Sequence, residues 1–231
     1  MRCITAIGCL LLMVFQCVAG AQQVLPLLND DESFSAWRPY NGQEFPGAKV
    51  SLHPDGKVRH NNLPSLRIEG DFTEGGNYVE ASTAIGMDVS MVSFWLRFPG
   101  SDGLSIRLID GTDQCHQIRF HIEKSDDWQR IVLPVADFFA RRGQPDAVQG
   151  IAKYEYWGGA NDGKWHSPAK SLHILLSKDG QPSKRTLWIC DVQAVTQPTA
   201  SAAAAYTESF DAAAASPEGW SLTGDVVVDQ E

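Results

Sequence analysis

The chain is poor in what several function classes require. No Lys/Arg-rich run occurs, the sole adjacent pair of arginines is Arg141-Arg142, and 19 Lys and Arg face 28 Asp and Glu, a net charge of −9. That excludes the basic face by which nucleic-acid binders hold phosphates, and it disfavours an anionic lipid surface. No apolar run reaches the roughly 20 residues that span a bilayer as a helix. Five cysteines are too few for a disulfide scaffold, and no C-x-x-C, H-E-x-x-H, G-x-S-x-G or zinc-like Cys/His spacing occurs. What remains is ordinary globular material: 231 residues, 43% hydrophobic, with 20 Gly and 12 Pro, enough for one large or two small domains.

The first residues read as a leader. Met1-Arg2 give a short positive start, Ile4 to Val14 form an apolar run of h-region length, and Ala19-Gly20-Ala21 supply an A-x-A pattern before Gln22. This predicts a signal peptide over residues 1–21 and a secreted or periplasmic protein. Its removal takes Arg2, leaving 18 basic against 28 acidic residues and a net charge of −10, together with Cys3, Cys9 and Cys17. Cys115 and Cys190 remain; export permits a disulfide between them, and two buried thiols in separate strands is the alternative.

From Val24 to Val195 the pattern is almost entirely that of strands. Ser65–Glu69, Val92–Phe98 and Ser105–Asp110 alternate polar and apolar residues, and Asp110-Gly111 with Thr112-Asp113 is turn chemistry leading to a hairpin partner at Gln117–Ile122. Arg130–Leu133, Gly150–Tyr156, Leu172–Leu176 and Leu187–Val192 are further strands, and only Val135–Arg142 suggests a helical turn. Many short strands between Gly, Pro and Asp turns predict an all-β sandwich or jelly roll over residues 22–196. An Ala-rich linker is expected at 197–206. Thr207-Glu208-Ser209-Phe210-Asp211 then echoes Asp31-Glu32-Ser33-Phe34-Ser35, and Gly219 to Asp229 reads as opening strands. The expectation for 207–231 is therefore the truncated start of a second β domain, or else a tail that folds back on the sandwich.

The most specific signature is Asp127-Trp128-Gln129 followed by Pro134, flanked by Leu96–Asp110 upstream and Thr186–Val195 downstream. With an acidic-aromatic first strand at Asp31–Phe34 and a last strand carrying a central Asp191, this outline resembles the galactose-binding-like β-jelly-roll modules. These include carbohydrate-binding modules of secreted glycoside hydrolases and the similar complex I intermediate-associated type domains. The motifs mark packing, and Trp128 is expected in the core. The resemblance implies a jelly roll, non-catalytic binding of polysaccharide or glycan, and targeting of an associated glycan-active domain. It also implies a structural Ca2+ tying first and last strands, for which Asp30, Asp31, Glu32 and Asp191 are the available oxygen donors; no D-x-D-x-D-G loop accompanies them. A solvated acidic terminus is the alternative.

Aromatic stacking against a pyranose, with neighbouring amides, carboxylates and guanidinia fixing the hydroxyls, is the chemistry such binding needs. The richest constellation for it is Tyr154, Glu155, Tyr156, Trp157, Asn161, Asp162 and Trp165 around a Gly-rich loop, with Arg119 on the preceding hairpin. Trp157 and Trp165 lead this group. The alternative is that Tyr154 and Tyr156 share one face and pack on the core while Trp165 caps the loop.

Catalysis is the runner-up. A glycoside hydrolase would draw its carboxylate pair from Glu69, Glu80, Glu123 and Glu155. A jelly-roll polysaccharide lyase would use Tyr154, His173 and Arg119. No recognisable spacing unites either set, and the expectation favours binding without turnover. A cell-envelope protein–protein module on the same fold is the third class, and it would show an apolar patch without hydroxyl-matching polar groups.

Overall fold

The computed structural model describes residues 23–101, 103–135, 151–178 and 183–196. These form twelve strands: β1 (Val24–Leu28), β2 (Arg38–Tyr40), β3 (Lys49–His60), β4 (Leu63–Asp71), β5 (Tyr78–Met87), β6 (Met91–Phe98), β7 (Gly103–Ile109), β8 (Cys115–His121), β9 (Ser125–Pro134), β10 (Ile151–Trp157), β11 (Ala169–Ser177) and β12 (Lys184–Val195). The leader, the linker and the segment 207–231 lie outside the described residues, as does the expected helical turn after Val135. No helix among the described residues is long and apolar enough to cross a membrane.

The strands make two antiparallel six-stranded sheets. One runs β3-β4-β12-β6-β9 with β1 added to β12; the other runs β10-β8-β7-β11-β5-β2. The chain changes sheet between β4 and β5, again between β5 and β6, and repeatedly from there to β12, as a jelly roll requires. Period-two alternation decides the rest. In β6, Val92, Phe94, Leu96 and Phe98 are buried, and in β7 so are Leu104, Ile106 and Leu108. Leu172 and Ile174 of β11 and Leu187 and Ile189 of β12 join them in the core between the sheets. Each such side chain contributes on the order of 1.5–3 kcal/mol by leaving water. The domain closes on itself because β1 pairs with β12, Val24 opposite Val195.

Two expectations are corrected by this arrangement. Asp31–Phe34 is not a strand. The Ser33 hydroxyl accepts the amides of Asn29 and Asp30, Asp30 accepts the Ser33 amide, and a 3-10 turn over Ser33–Ala36 follows. Short polar side chains here satisfy the backbone locally and outcompete a ladder. Trp128 is half-buried on the outer face of its sheet rather than in the core, with its indole N–H donating to the Arg59 carbonyl. Trp37, by contrast, is buried, its N–H donating to Leu27.

The cysteines among the described residues, Cys115 and Cys190, are free and buried. Cys115 pairs with Ile109 in one sheet and Cys190 with Trp95 in the other, so each lies on the outward-pointing register of a different sheet. Burial pushes the Cys115 thiol up to about 12 and the Cys190 thiol to about 11.

Candidate functional site

The outward positions of the second sheet form a groove of about 510 Å³, lined by residues that include Tyr78, Arg107, Gln117, Arg119, Glu155 and Trp157. Register builds it. Arg107 stands opposite Gln117, and Gln117 opposite Glu155, so three neighbouring strands present one polar row across the sheet. The connection between β2 and β3 supplies a wall, Glu44 and Phe45, the latter 45% exposed. Gly42 lets that wall form: it has φ +61°, and a Cβ there would sit 2.8 Å from the Tyr78 carbonyl oxygen.

The polar groups are held before any ligand arrives. Arg107 donates to Gln117 at 2.6 Å and to Glu80 at 2.9 Å, and its guanidinium lies 4.5 Å from the Tyr78 ring centre and 5.3 Å from that of Trp157. Glu155 accepts from Gln117 and Arg119, each at 3.0 Å, and from Lys153 at 2.7 Å. Burial alone would raise the Glu155 carboxyl, but these donors outweigh it and hold it below the usual range. His173 bridges Glu80 at 2.9 Å and Ser171 at 2.8 Å. Tyr40 and Tyr78 both donate to Glu44. Burial and that carboxylate push the Tyr78 hydroxyl up to about 12, so it remains a donor. Trp157 is 41% exposed beside this network.

The expected site residues divide between two places. Trp157, Glu155 and Arg119 line the groove. Tyr154 and Tyr156 occupy the opposite face of β10, paired with Ile118 and His116. The Tyr154 hydroxyl is hydrogen-bonded with His116 Nδ1 at 2.8 Å and its ring packs against the core, as does Trp165, whose ring centre is 5.4 Å from that of His116. Asn161 and Asp162 belong to the loop after β10. That loop is pinned to the β7–β8 turn: Gln114 donates to the Lys164 carbonyl at 2.7 Å and accepts from Gly163 at 2.9 Å, and Asp110 accepts from the His166 amide. The Lys164 amide and His166 pull the Asp162 carboxyl down to about 2. The loop thereby fixes the end of β10, and with it Trp157.

The groove also contains Arg107, Gln117, Tyr78, Glu44 and Phe45, which the cluster around the Gly-rich loop did not include. The available signal was alternation: Ser105 and Arg107 share a face with Gln117 and Arg119. The lyase set is not assembled, because Tyr154 faces inward while Arg119 and His173 face outward. Glu69, on β4, belongs to the other sheet from Glu80 and Glu155.

Among the described residues no three His, Cys, Asp or Glu side chains gather as a metal would need. Asp31 and Glu32 lie before the 3-10 turn, whereas Asp191 occupies a bulge in β12 with φ +49°, its carboxylate taken by Arg130 at 3.2 Å and Gln193 at 2.5 Å.

No protein-family model matches the sequence, and no curated protein does. Among solved structures, the family 11 carbohydrate-binding module of the cellulosomal cellulase Lic26A-Cel5E of Clostridium thermocellum matches with a TM-score of 0.51 at 13% identity, over 78% of this chain and 96% of that one. A family 30 carbohydrate-binding module matches with a TM-score of 0.46 at 15% identity, over 75% and 87%. An agarase matches with a TM-score of 0.45 at 14% identity, over 76% of this chain and 25% of the enzyme. The chain has the β-jelly-roll fold of the family 11 module.

Proposed function

We propose that this protein binds a polysaccharide or glycan chain in the groove of the β10-β8-β7-β11-β5-β2 sheet without turning it over. The observation that carries the reading is the exposed Trp157 beside polar groups already fixed in place: Arg107, Gln117, Arg119 and Glu155. A sugar ring stacks its C–H face on an aromatic surface, and its hydroxyls exchange water for oriented donors and acceptors. Preorganisation matters because side chains that are already ordered lose little entropy on binding. The fold agrees with a module of this kind, and that likeness bears on architecture alone.

The leader over residues 1–21 then directs the module outside the cytoplasm, where polysaccharide is met, and its role is to hold an associated glycan-active domain on its substrate. Affinity electrophoresis through gels containing soluble glucan, galactan, mannan or xylan tests the binding. Retardation by at least one of them is expected. If none retards the protein, and neither reducing ends nor unsaturated products appear, the glycan reading fails; product release without retention favours an enzyme.

A further inference from the structure

The charges of the groove cancel. Its lining carries two cations, Arg107 and Arg119, against two anions, Glu44 and Glu155, and beside it Glu80 and Lys153 pair with Arg107 and Glu155. Each cation is already engaged: Arg107 by Glu80, and both Arg119 and Lys153 by the single carboxylate of Glu155. Arg107 also lies against the rings of Tyr78 and Trp157, so its planar guanidinium continues their surface. The third carboxylate, Glu44, accepts from two tyrosines.

We propose that Glu155 is the specificity-determining residue of this groove, and that by occupying Arg119 and Lys153 it restricts the ligand to neutral glycans and excludes uronate-bearing ones. This rests on the glycan-binding reading above. A uronate entering beside Trp157 would meet Glu155 and would gain Arg119 only by breaking its 3.0 Å pair. A neutral sugar asks for no such exchange, since hydroxyls can donate to Glu155 and accept from Gln117 without displacing either cation. The acidic balance of the whole chain acts in the same direction at longer range.

The test uses paired polymers of matched backbone: galactan against polygalacturonate, and hydroxyethyl cellulose against carboxymethyl cellulose, run at 50 and 500 mM NaCl. The wild-type protein is expected to be retained by a neutral member only, with little dependence on salt. Glu155→Gln keeps the shape and a hydrogen-bonding group but frees two cations. It is expected to gain retention on the acidic member of the same pair by about fivefold at low salt, the scale of one partly exposed charge pair, and to lose that gain at 500 mM, where screening is strong. Arg119→Gln in the same background should remove the gain while both variants keep the wild-type melting temperature within a few degrees. Wild-type retention by the acidic member, or a Glu155→Gln variant no more retained by it than wild type, overturns the inference while leaving glycan binding intact. Retention by no polymer of either charge overturns the binding reading, and this inference with it.

Discussion

Two tryptophans separate binding from folding. Trp157 is 41% exposed and opens onto the groove, whereas Trp165 packs against the core near His116. A tryptophan side chain offers about 250 Å² when fully open, so Trp157 has about 100 Å² left for a ligand. A sugar covering most of that area gains about 2 kcal/mol at ~25 cal/mol per Å², or roughly 30-fold in Kd. Trp157→Ala is therefore expected to weaken binding of whichever neutral polysaccharide is retained by about 30-fold, while costing under ~1 kcal/mol of stability. Trp165→Ala should do the reverse. A partly buried tryptophan cut back to alanine costs about 2–3 kcal/mol, somewhat below the value for full burial, and lowers Tm by roughly 5–10 °C, while the folded fraction keeps its affinity. Calorimetric titration gives Kd and thermal unfolding followed by circular dichroism gives Tm for both variants. Equal affinities in Trp157→Ala and wild type, with the fold intact, would refute the assignment of the groove. So would a Trp165→Ala protein that keeps its Tm and loses its ligand.

The remaining predictions concern the buried groups that set the frame. Burial depresses the pKa of His116, which stays neutral against Asp110 at 3.2 Å, while the unfolded chain takes up a proton near pH 6.5. The unfolded state then binds more protons below about pH 6.5, so stability falls with acid, and Tm measured at pH 8, 6.5 and 5 should decline. His116→Gln should flatten that decline, and an equally steep one in the variant would sink the assignment. Asp110 adds the same sign at lower pH: its burial would raise the carboxyl, but donors from Thr112, His116 and Gln114 hold it below its ordinary value, stability that is lost as it protonates. With thiols near 12 and 11 in opposite sheets, Cys115 and Cys190 should resist iodoacetamide in the native protein at pH 8 and react only on unfolding. A reductant should leave Tm unchanged, and intact mass before and after labelling checks the reactivity.

Local pattern made much of the fold legible. The Asp110-Gly111 turn joins β7 to β8 as expected, because the Asp110 carboxylate takes the amides of Thr112 and Gln114 and folds the turn on itself. β3 was less readable, since Pro54-Asp55-Gly56 has the composition of a turn. It survives as strand because it lies at a sheet edge, where a missing N–H is tolerated, and Pro54 sits opposite Leu66 while the ladder slips beyond Asp55. The site was half legible for a related reason. The aromatic cluster on β10 is visible in sequence, and alternation there sends Glu155 and Trp157 one way and Tyr154 and Tyr156 the other. Which side is the groove depends on β5, β7 and β11, and on a loop around Glu44 that approaches Tyr78 from 34 residues away. No local pattern encodes that approach.

Aromatic content alone points to the other face from the proposed groove. The outer surface of the first sheet carries three tryptophans, Trp95, Trp128 and Trp188, more than the groove does. The protein covers them itself. The β3–β4 hairpin turns on Asn61 and Asn62, with φ of +46° and +67°, and brings His60 to 3.9 Å from the Trp95 ring centre. Arg130 lies 5.5 Å from the Trp95 ring and Arg97 5.0 Å from that of Trp188. The two remaining indole N–H groups are spent on β3, Trp128 on the Arg59 carbonyl and Trp188 on Asp55 at 3.1 Å. A ring already stacked and a donor already bonded have little to offer a sugar, which would first have to displace the partner in place. Trp157 has a guanidinium near its ring too, but it is exposed where those three are half-buried, and the hydrogen-bonding groups beside it are fixed by partners other than itself. That difference, rather than the number of aromatic residues, is why the proposed glycan site lies on the second sheet.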